Sequence, residues 1–365
     1  MKYKSIYVAA TSQHVGKTTS TLGLVSNFMH RGLKVGYCKP VGQKYLDFGE
    51  FRVDKDALLF MDLIHFDMKP EIHSPVILGS GTVTDFLDHP DHYSFKEALI
   101  KAKQTLESEN ELIIYEGTGH PGVGSVVNLS NARVAKMLNA CVVMVVEGGI
   151  GSTIDMLNMC LALFREREVP ILGVIVNKVR IDKMEKVTNY VSKYLKKKGL
   201  PLLGVIPYDH SLAFPVMRTI ARSVKGVVLA NSDQLDNKVE DIVAGSLLEK
   251  QDWSKERDLL LVTPYTRFRE SIDKIIQNTQ GLDLSKPPLA GMVVCGQGEM
   301  DPKAMEYIET HKIPLIQTGL DTFGSVIRIS NIEVKINRST PWKVKRAIDL
   351  IKTNVNMDKM LLEKE

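Results

Sequence analysis

The residues ATSQHVGKTT (10–19) combine the types needed to hold a chain of phosphates. Their Gly-Lys-Thr stands between a strand-like apolar run and a helix-like stretch, the setting of a phosphate-binding loop. Backbone N–H groups at the helix start would cradle phosphate oxygens. The Lys17 ammonium would reach the β- and γ-phosphates, and the Thr18 hydroxyl would ligate Mg2+. Thr11, Gln13, His14, Val15, Gly16, Lys17, Thr18 and Thr19 are therefore the expected nucleotide-contacting positions. The usual pattern has glycine where this chain has Thr11. The competing reading is a plain helix start that happens to contain Gly-Lys-Thr.

A second group of candidates follows the apolar run LIIY. Glu116 is predicted at the carboxyl end of a buried strand, where open α/β sheets bind ligands. With Thr18 and either Asp54 or Asp56 it would supply oxygen ligands for Mg2+. The loop GTGHPGVGS carries Gly117, Gly119, Gly122 and Gly124, which allow close backbone approach or positive φ. The alternative for this loop is a flexible turn. Lys39 precedes Pro40 at another strand end, where a second cation would stabilise a transferring phosphoryl group. Its alternative is a surface lysine before a turn. His14 and His120 lie in these loops as general-base or phosphate-binding candidates, with a bystander role as the alternative.

These residues need elements to hold them. Strand-like runs at 5–10, 34–41, 111–117, 140–149, 170–179 and 201–209 alternate with helical stretches at 19–32, 93–109, 130–139, 152–167 and 183–199. Between them, 48–64 is polar and acidic, with helical spacing in its second half. Ser94 with Glu97 has capping-box spacing. Continuous apolar strands alternating with helices imply a parallel sheet covered on both faces. A second α/β block with shorter units starts near residue 210, and the LLEKE tail is expected to fray. The basic run Lys196–Lys198 is read as a solvated helix end.

Length and composition agree. The 365 residues are 44% hydrophobic and 25% charged, which suits two or three globular domains. A net charge of +4 is too balanced for a nucleic-acid footprint. The four cysteines lack CxxC spacing, so no zinc site is expected. Free thiols, and an opening apolar run too short for a signal peptide, point to a cytoplasmic protein. The longest apolar run, Ala140–Val146, is far short of a membrane span.

The first half resembles dethiobiotin synthetases and cobyrinic acid a,c-diamide synthases. The phosphate loop, Gly36-Tyr37-Cys38-Lys39-Pro40-Val41, Asp54-Lys55-Asp56-Ala57-Leu58, Tyr115-Glu116-Gly117-Thr118-Gly119-His120 and Val176-Asn177-Lys178-Val179 match that group in order. The version at the N-terminus of long phosphotransacetylases is the most similar. The resemblance implies ATP and Mg2+ as ligands, Lys17 and Lys39 as catalytic, and Thr18, Asp56 and Glu116 as metal ligands. It also implies Gly117 and Gly119 at the nucleotide, Asn177 at the adenine, and a homodimer or higher homo-oligomer. Asp56 fits the family register better than Asp54. Ser12, His14 and Gln43 depart from the synthetases, so dethiobiotin synthesis itself is not expected. Residues 259–272, 289–301 and 313–330 resemble a degenerate DRTGG domain. There Arg267, Arg269, Asp321 and Thr322 are candidates for a small anion, or for ion pairs. Cys295 lacks an amidotransferase elbow and is expected to have no catalytic role.

The expected architecture is thus a P-loop NTPase-type, mostly parallel α/β domain at 1–208. A smaller DRTGG-like α/β domain follows at 209–352, then a tail at 353–365. The expected function is ATP·Mg2+ binding with phosphoryl transfer to a carboxylate or carbamate of an unidentified small molecule. The alternative is a regulatory nucleotide or metabolite sensor without acetyltransferase activity, and a third option is an oligomerisation scaffold. No nucleic-acid or membrane partner is expected.

Overall fold

The computed structural model describes residues 3–245, 257–280, 288–332, 334–337 and 340–361. The chain divides into two compact units, residues 1–209 with 336–365, and residues 210–335.

The first unit is built on six parallel strands: β1 (Ser5–Ala10), β2 (Val35–Cys38), β3 (Leu112–Glu116), β4 (Cys141–Glu147), β5 (Ile171–Val179) and β6 (Leu202–Pro207). Their spatial order is β6-β5-β4-β1-β3-β2. Strands β1, β2 and β3 are buried along their whole length, as expected of strands covered on both faces. The chain passes from β1 to the edge at β2 and then back to β3, so β1 lies centrally, between β3 and β4. Loops leaving β1 and β3 therefore open side by side at the carboxyl edge of the sheet. Helix α1 (Lys17–His30) starts directly after the phosphate loop, with Gly16 as its N-cap.

Two local features depart from the sequence expectation. The polar stretch after β2 forms an antiparallel hairpin, Tyr45–Phe48 with Phe51–Asp54, and the helical half follows as Lys55–Ile64. Ser94 does precede the helix Phe95–Glu109, but its side chain makes no capping bond.

Residues 336–365 group with the first unit, unlike the expected boundaries at 209–352 and 353–365. The reason is packing. The helix Pro341–Asn354 lies against α1, and a Cβ at Gly23 would come within 2.2 Å of Ile351. Asn27 donates to the Ile348 carbonyl at 3.2 Å. Val355 bridges Gly204 of β6, and the Asn356 amide donates to the Leu203 carbonyl at 2.7 Å. Residues 362–365 of the expected tail lie outside the described residues.

The second unit holds a five-stranded sheet. Its order is Val227–Ala230, Leu315–Thr318, Leu289–Cys295, Leu259–Pro264 and Asp241–Ala244, the first antiparallel and the rest parallel. Apolar clusters cover it, one around Phe268 and Ile308 and another around Met217 and Ile220.

Candidate functional site

The site is assembled where β1, β2 and β3 end. Gly16 closes the phosphate loop with φ +103°, and a Cβ there would lie 2.1 Å from Asn177 Nδ2. Only glycine meets both demands. Asn177 is the last inward residue of β5 before the left-handed Lys178, and its amide donates to the Val15 carbonyl at 2.8 Å. The sequence did not suggest this bracing contact. Thr11 is buried, and its amide continues the ladder with the Val145 carbonyl. Val15 is buried, Gln13 and His14 are exposed, and Thr18 and Thr19 are half-buried. His14 adopts φ +60°.

Lys17 is 9% exposed, and its ammonium donates to the Gly119 carbonyl at 2.8 Å and the Ser12 carbonyl at 3.2 Å. The lysine thus spans the phosphate loop and the glycine-rich loop. Thr18 Oγ1 donates to Glu116 Oε1 at 2.8 Å. Lys39 Nζ donates to Asp56 Oδ2 at 2.8 Å, Glu116 Oε1 at 3.1 Å and the Gly117 carbonyl at 3.3 Å. The five residues Lys17, Thr18, Lys39, Asp56 and Glu116 therefore form one connected cluster with Gly117 and Gly119.

Electrostatics follow from burial. Lys39 and Glu116 are 4% and 1% exposed. Burial opposes the charge on Lys39, but Asp56, Glu116 and Asp54 outweigh it and hold the ammonium well above its ordinary range. Burial pushes the Glu116 carboxyl above the usual carboxylate range, against the pull of Lys39. Tyr37 stacks on Phe60 with ring centres 3.7 Å apart and places its hydroxyl 3.5 Å from Glu116 Oε2. Such a stack adds about 1 kcal/mol beyond its buried area.

Asp54 and Asp56 separate by role. Asp54 caps the helix Lys55–Ile64, accepting the Asp56 amide at 2.9 Å and the Gln43 amide at 3.2 Å. Asp56 is the one whose carboxylate reaches Lys39.

Two side chains at the site were not singled out from the sequence. Asn131 holds the glycine-rich loop from behind, and Tyr7 donates its hydroxyl to Asn131. Asn131 read only as part of a helix, opened by Ser130, which accepts the Arg133 amide at 3.2 Å. The available signal was a polar residue just inside a helix that follows a ligand loop. His120 is exposed, and its Nδ1 accepts the Gly122 amide at 3.2 Å. In the second unit the ion-pair alternative describes the arginines. Arg269 pairs with Asp273 and Asp301, Arg267 lies 3.8 Å from Glu270, and Asp321 caps the helix Thr322–Ser330. Cys295 is buried and donates to Ser325.

The donor set fits a nucleotide with Mg2+. A left-handed glycine cradle leads into a helix start, and the oxygens of Thr18, Asp56 and Glu116 are hard donors of the kind Mg2+ takes. Among the described residues no three His, Cys, Asp or Glu side chains form a complete metal cage. A partial protein shell completed by phosphate oxygens and water is the arrangement Mg2+ favours.

Over 97% of its length the chain is 24% identical to the phosphate acetyltransferase of Nitrosomonas europaea, of which it covers 51%. It is 26% identical to the cobyric acid synthase of Carboxydothermus hydrogenoformans, with 89% of this chain and 69% of that protein covered. The chain thus spans about half the length of the phosphate acetyltransferase it matches. Among solved structures it is similar to the MinD cell division protein of Aquifex aeolicus. That match has 15% identity and a TM-score of 0.37, over 57% of this chain and 84% of that one. No helix among the described residues is long and apolar enough to cross a membrane. The family model described as AAA domain matches residues 4–216, which take in all six parallel strands and every loop of the site, and the chain belongs to that family.

Proposed function

We propose that this protein binds ATP·Mg2+ and transfers the γ-phosphoryl group to a carboxylate or carbamate of a small molecule. The observation that carries this reading is the connected cluster of Lys17, Thr18, Lys39, Asp56 and Glu116 at the mouth of the phosphate loop. Bound Mg2+ would neutralise phosphate charge, held by Thr18, Asp56 and Glu116. Lys17 keeps the Gly119 carbonyl as one partner and turns its remaining donors from the Ser12 carbonyl to the β- and γ-phosphates. Lys39 lies between two carboxylates and meets the transferring group from the side of β2. The acceptor oxygen forms a bond to the γ-phosphorus while the bond to the β-phosphate oxygen breaks, and ADP leaves. Asn177 braces the loop and lies on the strand edge where the adenine would sit. Asn131 keeps the glycine-rich loop in place.

Similarity to phosphate acetyltransferases and cobyric acid synthases supports nucleotide binding and leaves the acceptor open. Departures at His14 and Gln43 from the dethiobiotin synthetases favour a second reading, a nucleotide sensor that signals through a DRTGG-like second unit, as a homodimer. Calorimetric titration of ATP·Mg2+ into wild type and Lys17→Ala, with ADP release assayed on the same samples, tests both. Binding lost in the variant supports the phosphate loop. ADP release then supports the enzyme, and binding without release on a panel of carboxylates and amines supports the sensor. No binding to wild type overturns both.

A further inference from the structure

Asn131 is the first residue of the helix Asn131–Met137 and is 4% exposed. Its amide makes four hydrogen bonds. Oδ1 accepts the Tyr7 hydroxyl at 2.6 Å and the Thr118 amide at 3.0 Å. Nδ2 donates to the Thr118 and His120 carbonyls, each at 2.7 Å. Three of these bonds end on the glycine-rich loop, on either side of Gly119. That residue has φ +63°, and its carbonyl accepts the Lys17 ammonium. Gly117, whose carbonyl accepts Lys39, packs so closely that a Cβ would fall 2.7 Å from Asn131 Oδ1.

The chemistry required at this position is narrow. The loop offers one N–H and two carbonyls, so the side chain must present an acceptor and two donors at once. Only a carboxamide does so. A carboxylate would keep the acceptor but face two carbonyl oxygens with no proton. An unclamped glycine samples a wide range of φ and ψ, so the Gly119 carbonyl would lose its aim.

We propose that Asn131 is a positioning residue for phosphate binding. Through Thr118 and His120 it sets the Gly119 carbonyl that holds Lys17 in line with the phosphate loop. The proposal rests on the nucleotide reading above and adds a residue to it. Outer-layer groups that orient a ligand-binding group typically cost 10–100-fold when removed.

The test is calorimetric titration of ATP·Mg2+ into the full chain as wild type, Asn131→Ala, Asn131→Asp and Tyr7→Phe, with a thermal midpoint for each. Tyr7→Phe removes the one bond that does not reach the loop, and so isolates the cost of disturbing the core. Asn131→Ala is expected to bind about tenfold or more weakly, and Tyr7→Phe within about twofold of wild type. Asn131→Asp is expected to bind at least as weakly as Asn131→Ala, because its carboxylate turns an oxygen toward the Thr118 and His120 carbonyls. If Asn131→Ala does not fold, the Asp and Tyr7 variants carry the comparison. Equal weakening by Tyr7→Phe and Asn131→Ala, or Asn131→Asp binding as tightly as wild type, overturns the positioning role. Wild-type binding with undiminished Asn131→Ala overturns this role alone. No binding to wild type overturns the nucleotide reading, and this role with it.

Discussion

Asp54 accepts the backbone amide of Asp56, and this bond leaves the Asp56 carboxylate pointing back to Lys39. Two acidic residues in one short stretch thus divide the work of capping a helix and facing the site. Asp54→Ala should cost about 1–2 kcal/mol through loss of the N-cap, read as a lower thermal midpoint. Asp56→Ala should keep the helix cap, lower the midpoint because buried Lys39 loses a charge partner, and weaken Mg2+-dependent nucleotide binding about tenfold or more. Thermal unfolding and Mg2+ titration of both variants check the division.

Binding should also depend on pH. Burial raises the Glu116 carboxyl above the usual range, so it takes up a proton at a higher pH than an exposed glutamate. Metal ligation needs the ionised form. ATP·Mg2+ affinity is therefore expected to decline as pH falls, starting above the ordinary carboxylate range. Glu116→Gln should bind more weakly and show a flatter profile over the same interval. Isothermal titration at several pH values reads both.

His73 gives the unliganded fold its own acid sensitivity. Its ring is 7% exposed, its Nδ1 accepts the Lys69 amide at 3.1 Å, and burial lowers its pKa to about 4. The unfolded chain binds the proton more readily, so stability from this group is present above the ordinary histidine value near 6.5. It is lost as pH falls through that value toward about 4. The full effect approaches about 3 kcal/mol. Urea unfolding between those pH limits should show the decline, and His73→Asn should reduce it.

The contact between α1 and the helix Pro341–Asn354 depends on a missing side chain. A Cβ at Gly23 would stand 2.2 Å from Ile351 Cγ1. Gly23→Ala should push the helices apart and destabilise the first unit by about 1–3 kcal/mol. Ile351→Ala should not recover that loss, because Ile351 Cβ itself would stand 2.3 Å from the added methyl. Thermal midpoints of the single and double variants decide.

Much of the first unit was legible because its strands are unbroken apolar runs and its loops carry glycine. Lys17, Thr18, Lys39 and Glu116 each end or follow such a run, so their convergence followed from parallel topology. The hairpin at Tyr45–Asp54 was not legible. Its Leu46, Phe48 and Phe51 stay exposed, so no burial pattern marked it as strand. The roles of Asn131 and Tyr7 were hidden for another reason. Tyr7 read as one more apolar strand residue and Asn131 as one more helix residue, and only the fold shows that they meet. The return of residues 336–365 was invisible because amphipathic spacing says that a helix packs, but not on what.

That return places residues 3 and 361 in the same unit, while residues 210–335 leave and re-enter it as a closed excursion. A pull applied between those two ends would be carried by the first unit alone. The bearing contacts are the Gly23–Ile351 packing, the Asn27 bond to Ile348 and the bridge between Val355 and Gly204. The second unit would feel no tension until these gave way. Single-molecule extension should therefore show the first unit breaking first and the second unit afterwards.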